Sequence, residues 1–322
     1  MNSFGDVIKY LESMKDTDFQ EEIAKAKNDR DRTLLTTLYK FYYEKRNPPI
    51  IYHYTDFVAL EGILFRDGIR LCRADDMNDK AEMRNFIDLV EKSIINRIGH
   101  DKATITEIKK RFKEEHEKRK NDIAYLASFS SLKDDAAQWE RYGGNGRGVS
   151  IGFNTKILKD IAQEKGIMLQ EVFYGENADN HKIVDVLEDL FLGKENIRHG
   201  FYEDDWEAVF DNAWGISVAH KNHSFYSEQE FRLVTLPLWG GNRYDRLGDL
   251  HTVVTPHAFR ECLYLDWKNV CKSLGIPIKA LITKIIIGPN SKISKKELQE
   301  WIANNGMSGM GNCIAISTST LR

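Results

Sequence analysis

The densest run of chemistry-bearing residues is Phe225-Tyr226-Ser227-Glu228-Gln229-Glu230-Phe231-Arg232-Leu233-Val234. Read as a strand over 228–236, its side chains alternate between two faces. Phe225, Ser227, Gln229, Phe231 and Leu233 then share the core side, and Tyr226, Glu228, Glu230 and Arg232 share the other. Two carboxylates and a guanidinium in a row are costly to bury. Two settings suit them: a solvated surface, where an Arg232–carboxylate pair is worth little, or the wall of a cleft. Carboxylates at i and i+2 on a strand lie about 7 Å apart. That gap suits glycosyl chemistry in which one carboxylate steadies an oxocarbenium-like sugar and the other handles the nucleophile. The nicotinamide–ribose bond needs still less help. Its leaving group is a neutral pyridine, so no general acid is required, and one oriented carboxylate near the developing charge suffices.

Three further segments carry polar groups on expected strands or helices. In Tyr52-His53-Tyr54-Thr55, His53 shares a face with Ile51 and Thr55 while Tyr52 and Tyr54 share the other. A histidine flanked by aromatics is able to bond a ribose hydroxyl while a ring holds a flat base; a core histidine satisfied by a neighbour is the plainer alternative. Ser128 and Ser130 share one strand face and offer hydroxyls to a sugar or phosphate, or are ordinary edge-strand serines. Trp139 and Tyr142, at i and i+3, share one side of a helix, where such residues more often fill a core. The glycines at 143, 144, 146 and 148 precede a strand, not a helix, so they are no dinucleotide or phosphate-loop fingerprint.

The elements that must position these groups follow from periodicity and turn signals. Residues 1–46 read as an N-terminal helical cover ended by Asn47-Pro48-Pro49, and 47–322 as the main α+β domain. Strands are expected at 50–54, 69–72, 125–130, 149–153, 170–174, 228–236, 284–288 and 313–317. Helices are expected at 57–65, 83–98, 104–121 and 295–303, with a helical insertion at 180–222 and a short helix carrying Gln138, Trp139 and Tyr142 behind a cap at Asp134 or Asp135. Asp79 and Glu82 form a D-x-x-E capping box. The helix around Lys109–Lys120 carries dense charge of both signs and reads as solvated. Strands and helices mix without a regular βαβ rhythm, so the fold class is α+β with a mixed or split sheet.

Composition limits the functional classes. The 322 residues hold 46 basic and 49 acidic side chains, net -3, so no global basic field draws in nucleic acid. No apolar run approaches the roughly 18–20 residues of a membrane span, and the first residues lack a signal-peptide layout. Cys72, Cys262, Cys271 and Cys313 form no C-x-x-C pair and no zinc-ligand spacing, which points to a cytoplasmic protein without a metal.

As an ordered set, several motifs resemble a large bacterial family, domain-of-unknown-function family twenty-nine seventy-one. They are Tyr52-His53-Tyr54-Thr55, Asn78-Asp79 with Glu82, Ser128-Phe129-Ser130, Trp139-x-x-Tyr142, Gly148-Val149-x-Ile151-Gly152-Phe153, Tyr174, and Lys221 ahead of Glu228-x-Glu230-x-Arg232. Phe225 stands where that pattern expects Trp. The order of motifs is in turn similar to the ADP-ribosyltransferase fold, in which strands carry a His or Arg, a Ser or Tyr motif, and a catalytic Glu. The resemblance implies NAD as substrate, Glu230 as catalytic carboxylate and Glu228 as helper of the acceptor. It implies His53 on the ribose and Ser128 and Ser130 around the nicotinamide, with Tyr52, Tyr54, Trp139, Tyr142 and Arg232 completing the cofactor set. A toxin or defence effector acting on a protein or nucleic-acid acceptor is the implied role. Two rivals are a nucleotide-binding sensor without turnover and an NAD-dependent RNA phosphotransferase. The last wants a basic cleft, for which only Arg70, Arg73, Arg141 and Arg147 lie near the motifs.

Overall fold

The computed structural model describes residues 24–25, 48–66, 68–76, 82–98, 102–119, 123–175, 214, 217–235, 247–254 and 259–321. The expected N-terminal cover, apart from 24–25, the Asn78–Asp79 start, and residues 180–213 and 215–216 of the helical insertion lie outside them. No helix among the described residues is long and apolar enough to cross a membrane.

The chain is α+β, built on a mixed ten-stranded sheet. Strand β1 is Ile50–Thr55, and helix α1, Phe57–Phe65, starts where Asp56 accepts from Ala59 N at 2.7 Å. Strand β2 is Ile69–Arg73, followed by helices α2, Glu82–Ile98, and α3, Lys102–Arg119. Strand β3 is Tyr125–Ser130, and helix α4, Ala136–Arg141, is capped by Asp135. Strand β4 is Val149–Asn154, helix α5 is Thr155–Glu164, and strands β5 and β6 are Met168–Glu171 and Phe173–Tyr174. Strand β7 is His220–Lys221, where helix was expected, and β8 is Glu230–Thr235. Strands β9, His251–Val254, and β10, Phe259–Leu265, lead to helices α6, Trp267–Ser273, and α7, Ile278–Leu281. Strand β11, Ile282–Ile287, helix α8, Lys295–Asn304, and strand β12, Ile314–Ile316, complete the order.

Along the sheet the order is β12-β11-β4-β1-β3-β2-β10-β9, with β8 on β3 and β5 on β8. Its ladders are antiparallel except between β11 and β12. One side of β3 pairs with β8 along its whole length. Its opposite side is shared: Ser130 meets Tyr52 of β1, while Tyr125 and Leu126 meet Arg73 and Cys72 of β2. Between those contacts Ala127, Ser128 and Phe129 have no strand partner on that side among the described residues, so the sheet is split there. His53 Nδ1 reaches the Ser128 carbonyl at 2.8 Å and supplies a bond the missing ladder does not. The main apolar core, with Ile51, Phe129, Phe153, Leu158 and Trp267, is buried against α1, α5 and α6. Tyr52, Tyr54, Trp139 and Ile286 form a separate buried cluster.

Gly148 sets how closely β1 and β4 meet at their ends. A Cβ there would lie 2.1 Å from the Thr55 carbonyl oxygen, a backbone atom that has no room to give. Gly148→Ala is expected to cost at least about 1–3 kcal/mol, the usual scale of overpacking. Thermal melting checks this; an unchanged midpoint would contradict the packing.

Candidate functional site

A cavity of about 240 Å³ lies at the split, walled on one side by β1 and on the other by β2 and β10. His53, Ser128 and Glu230 all line it, although 177 positions of numbering separate the first from the last. Tyr52, Tyr54, Ser130, Tyr142, Glu228 and Arg232 line it as well. Trp139 is the expected site residue that does not. It is fully buried, packs edge-on against Tyr54 at 4.9 Å, and donates its indole N–H to Asp134 at 2.6 Å. Its role is to hold Tyr54 from behind.

The 228–236 strand of the sequence reading is corrected by the structure. Residues His223–Glu228 form a 3-10 turn, and Gln229 takes a left-handed conformation with φ 43. Strand β8 therefore starts at Glu230. The reason is local: Ser130 Oγ donates to the Glu228 carbonyl at 2.6 Å, and Ser131 N donates to the Gln229 carbonyl at 3.0 Å. These bonds pin the turn to the end of β3. The simple alternation of faces is lost, and both carboxylates turn toward one ammonium group. Lys221 Nζ donates to Glu228 Oε2 at 2.8 Å and to Glu230 Oε2 at 3.1 Å.

The solvated-face alternative is also overturned. Strand β8 lies between β3 and β5, and every one of its residues is buried. Arg232 is only 1% exposed and Glu230 5%. Arg232 binds Glu230 through Nε and Nη2, at 2.8 and 3.1 Å, and gives Nη1 to the Val218 carbonyl at 2.7 Å. Glu228 Oε1 accepts from Arg141 at 3.0 Å and from the Tyr142 hydroxyl at 2.8 Å. Glu230 N donates to the Tyr174 hydroxyl at 2.7 Å. Buried charges persist only when paired in this way.

Protonation states follow from these partners. Burial would raise Glu230, but the charges of Arg232 and Lys221 outweigh it and hold the carboxyl at about 2. It is ionised at neutral pH. The Ser128 hydroxyl lies close enough to add to that depression, yet makes no hydrogen bond of ordinary geometry. Burial pushes Tyr142 well above the usual phenol range, and the Glu228 charge adds to it, so its hydroxyl keeps its proton and donates. Burial lowers His53, which makes it a neutral imidazole. With Nδ1–H given to Ser128 O, its Nε2 is an acceptor.

Comparison with known proteins adds one finding. Residues 138–233 match the model of a family described as "Protein of unknown function (DUF2971)". The DUF2971 segment supports the family resemblance and contributes Tyr142, Lys221, Glu228, Glu230 and Arg232 to the cavity. No curated protein and no solved structure matches the chain. His53, Ser128, Arg70 and Arg260 come from outside the DUF2971 segment and build the rest of the wall. Sequence reasoning gave no site role to Lys221, Arg141, Tyr174 or Arg260. Lys221 and Tyr174 stood in the ordered motifs, which was their available signal. Arg260 lies on β10, a strand the periodicity did not reveal.

Proposed function

We propose that the cavity binds a nicotinamide dinucleotide and that the protein transfers ADP-ribose from it to an acceptor. The observation that supports this is the meeting of His53, Ser128 and the ionised Glu230 at the split in the sheet. In the proposed reaction the bond between ribose and nicotinamide breaks with its electron pair going to the ring nitrogen. Neutral nicotinamide leaves, the sugar carbon becomes cationic, and an acceptor or water attacks it. Glu230 and Glu228 supply negative charge beside that carbon. His53 Nε2 accepts from a ribose hydroxyl. The cavity volume of about 240 Å³ falls below the roughly 300–1,000 Å³ of pockets for larger ligands. It suits the nicotinamide riboside half, with the adenosine half lying outside.

A second reading is favoured by the ion pairs themselves. Lys221 and Arg232 already balance Glu228 and Glu230, so the site presents less net negative charge to a cationic sugar. The same pocket would then bind a nucleotide without turning it over. Incubation of the full chain with NAD, followed by assay of free nicotinamide and by a binding titration, separates the two. Release above the protein-free background is the expected result. Binding without release supports the sensor reading, and neither binding nor release removes both. His53→Ala is expected to weaken NAD binding by up to about tenfold, the scale of one neutral hydrogen bond; unchanged affinity would take His53 out of the ligand contacts.

A further inference from the structure

The cavity is lined by four cationic side chains and two carboxylates. The carboxylates are accounted for by Lys221 and Arg232, with Arg141 adding a second cation to Glu228. The remaining two cations, Arg70 and Arg260, stand on the wall formed by β2 and β10. Neither has a carboxylate within ion-pair distance among the described residues. Arg70 is exposed and lies over the Tyr264 ring at 5.8 Å. Arg260 is half-buried.

Strand register explains why these two face the cavity. Cys72 pairs with Cys262, and Arg70 pairs with Tyr264. Side chains two positions apart on a strand share a face. Arg70 and Cys72 on β2 therefore share one face with Arg260 and Cys262 on β10, and the two arginines approach the cysteine pair from opposite ends. Both are near enough to Cys72 for their charges to work against the burial that raises its thiol. Arg73, one position along, points to the opposite face, where it is bound by Asp75 and Glu261 at 2.7 and 2.8 Å. The two strands thus carry one neutralised arginine on the face of Leu71 and Leu263 and two without carboxylate partners on the cavity face.

We propose that Arg70 and Arg260 form an anion subsite that takes the phosphate groups of the bound nucleotide. The nucleotide identity rests on the proposed function; the anion subsite rests on charge and register alone. A guanidinium binds phosphate oxygens through two parallel N–H donors and stays charged at any working pH. The strand register fixes where both side chains begin, and their guanidiniums are ordered on binding. The opposite end of the cavity, with its own balanced charges and His53, is left for the base and sugar.

The test compares nicotinamide mononucleotide with nicotinamide riboside, which differ by one phosphate, and adds inorganic pyrophosphate as a third probe. Binding to the full chain is measured by calorimetry for wild type, Arg70→Gln, Arg260→Gln, the double variant and Arg73→Gln. The mononucleotide should bind wild type roughly tenfold to a hundredfold more tightly than the riboside, the scale of a charge-assisted hydrogen bond. That preference should shrink in each single variant and vanish in the double variant. Arg73→Gln should keep it. All three positions lie toward the surface of one strand pair, and melting curves confirm that the variants are folded. Equal affinity for mononucleotide and riboside in wild type would overturn the subsite, as would a preference that survives the double variant. If neither nicotinamide compound binds but pyrophosphate binds wild type and not the double variant, the subsite stands and the NAD reading falls. If pyrophosphate and both nicotinamide compounds all fail to bind wild type, the subsite falls too.

Discussion

Glu230→Gln is expected to lower stability by roughly 3–5 kcal/mol, the cost of removing one partner from a buried ion pair. Glutamine keeps the shape of the side chain but removes its charge. Arg232, almost wholly buried, would lose the carboxylate it binds through Nε and Nη2, and Lys221 would lose one of the carboxylates it bridges. Adding Lys221→Met to Glu230→Gln removes one excess cation and should recover part of the loss. The excess over simple additivity measures the coupling. Denaturant unfolding of the two single variants and the double variant decides the matter. A Glu230→Gln protein as stable as wild type would mean that water or a shifted side chain compensates the charge, and the network described above would be wrong. The result bears on activity as well. Loss of nicotinamide release in Glu230→Gln counts as a chemical effect only when measured well below that variant's own melting transition.

Acid should weaken the protein across a defined window. The Glu230 carboxyl has a folded-state pKa of about 2 against an ordinary value of 4.5. A depressed carboxylate contributes stability that is fully present above the unfolded value and is lost as pH falls toward the folded value. The window therefore runs from about pH 4.5 down to about pH 2. The shift corresponds to a contribution on the order of 3 kcal/mol. Other carboxylates, among them Asp75 and Asp134, are also held below their ordinary range and add to the acid response. The difference between wild type and Glu230→Gln isolates the Glu230 part. Unfolding free energies measured at steps through this window should converge as pH falls. Parallel curves would show that Glu230 does not titrate as its surroundings require.

Much of the element order was legible because local signals agreed with the tertiary fold. Strand β3 falls on the expected residues 125–130, helix α1 on 57–65, and the cap of α4 on one of the two aspartates expected. The site was legible as a set of residues but not as a geometry. Alternation along 228–236 fails because Ser130 and Ser131, some 98 positions away in sequence, hold residues 228 and 229 in a turn. Nothing in a ten-residue window reports a partner that distant. Burial of β8 was hidden as well, because alternation does not report that Glu230 and Arg232 satisfy each other and draw on Lys221 and the Val218 carbonyl outside the strand. Expected strand 170–174 is two pieces, because Val172 N still reaches the Glu230 carbonyl of β8 while Phe173 N turns away to the Ala219 carbonyl next to β7. Strands β9 and β10 were missed, and with them the wall that carries Arg260.

The split beside β3 has a mechanical consequence. Strands β12, β11, β4 and β1 make one plate, and β2, β10 and β9 make another. Both plates are fastened to the same spine, β3 backed by β8. The first plate holds that spine by one residue pair and the His53 bond, the second by two pairs. Hydrogen bonds across the split are few, so there the plates are joined mainly through the shared apolar core, in which Ile51 and Val149 of the first lie in one cluster with Leu71 and Leu263 of the second. The width of the cavity is then held by that shared packing more than by a ladder across the split.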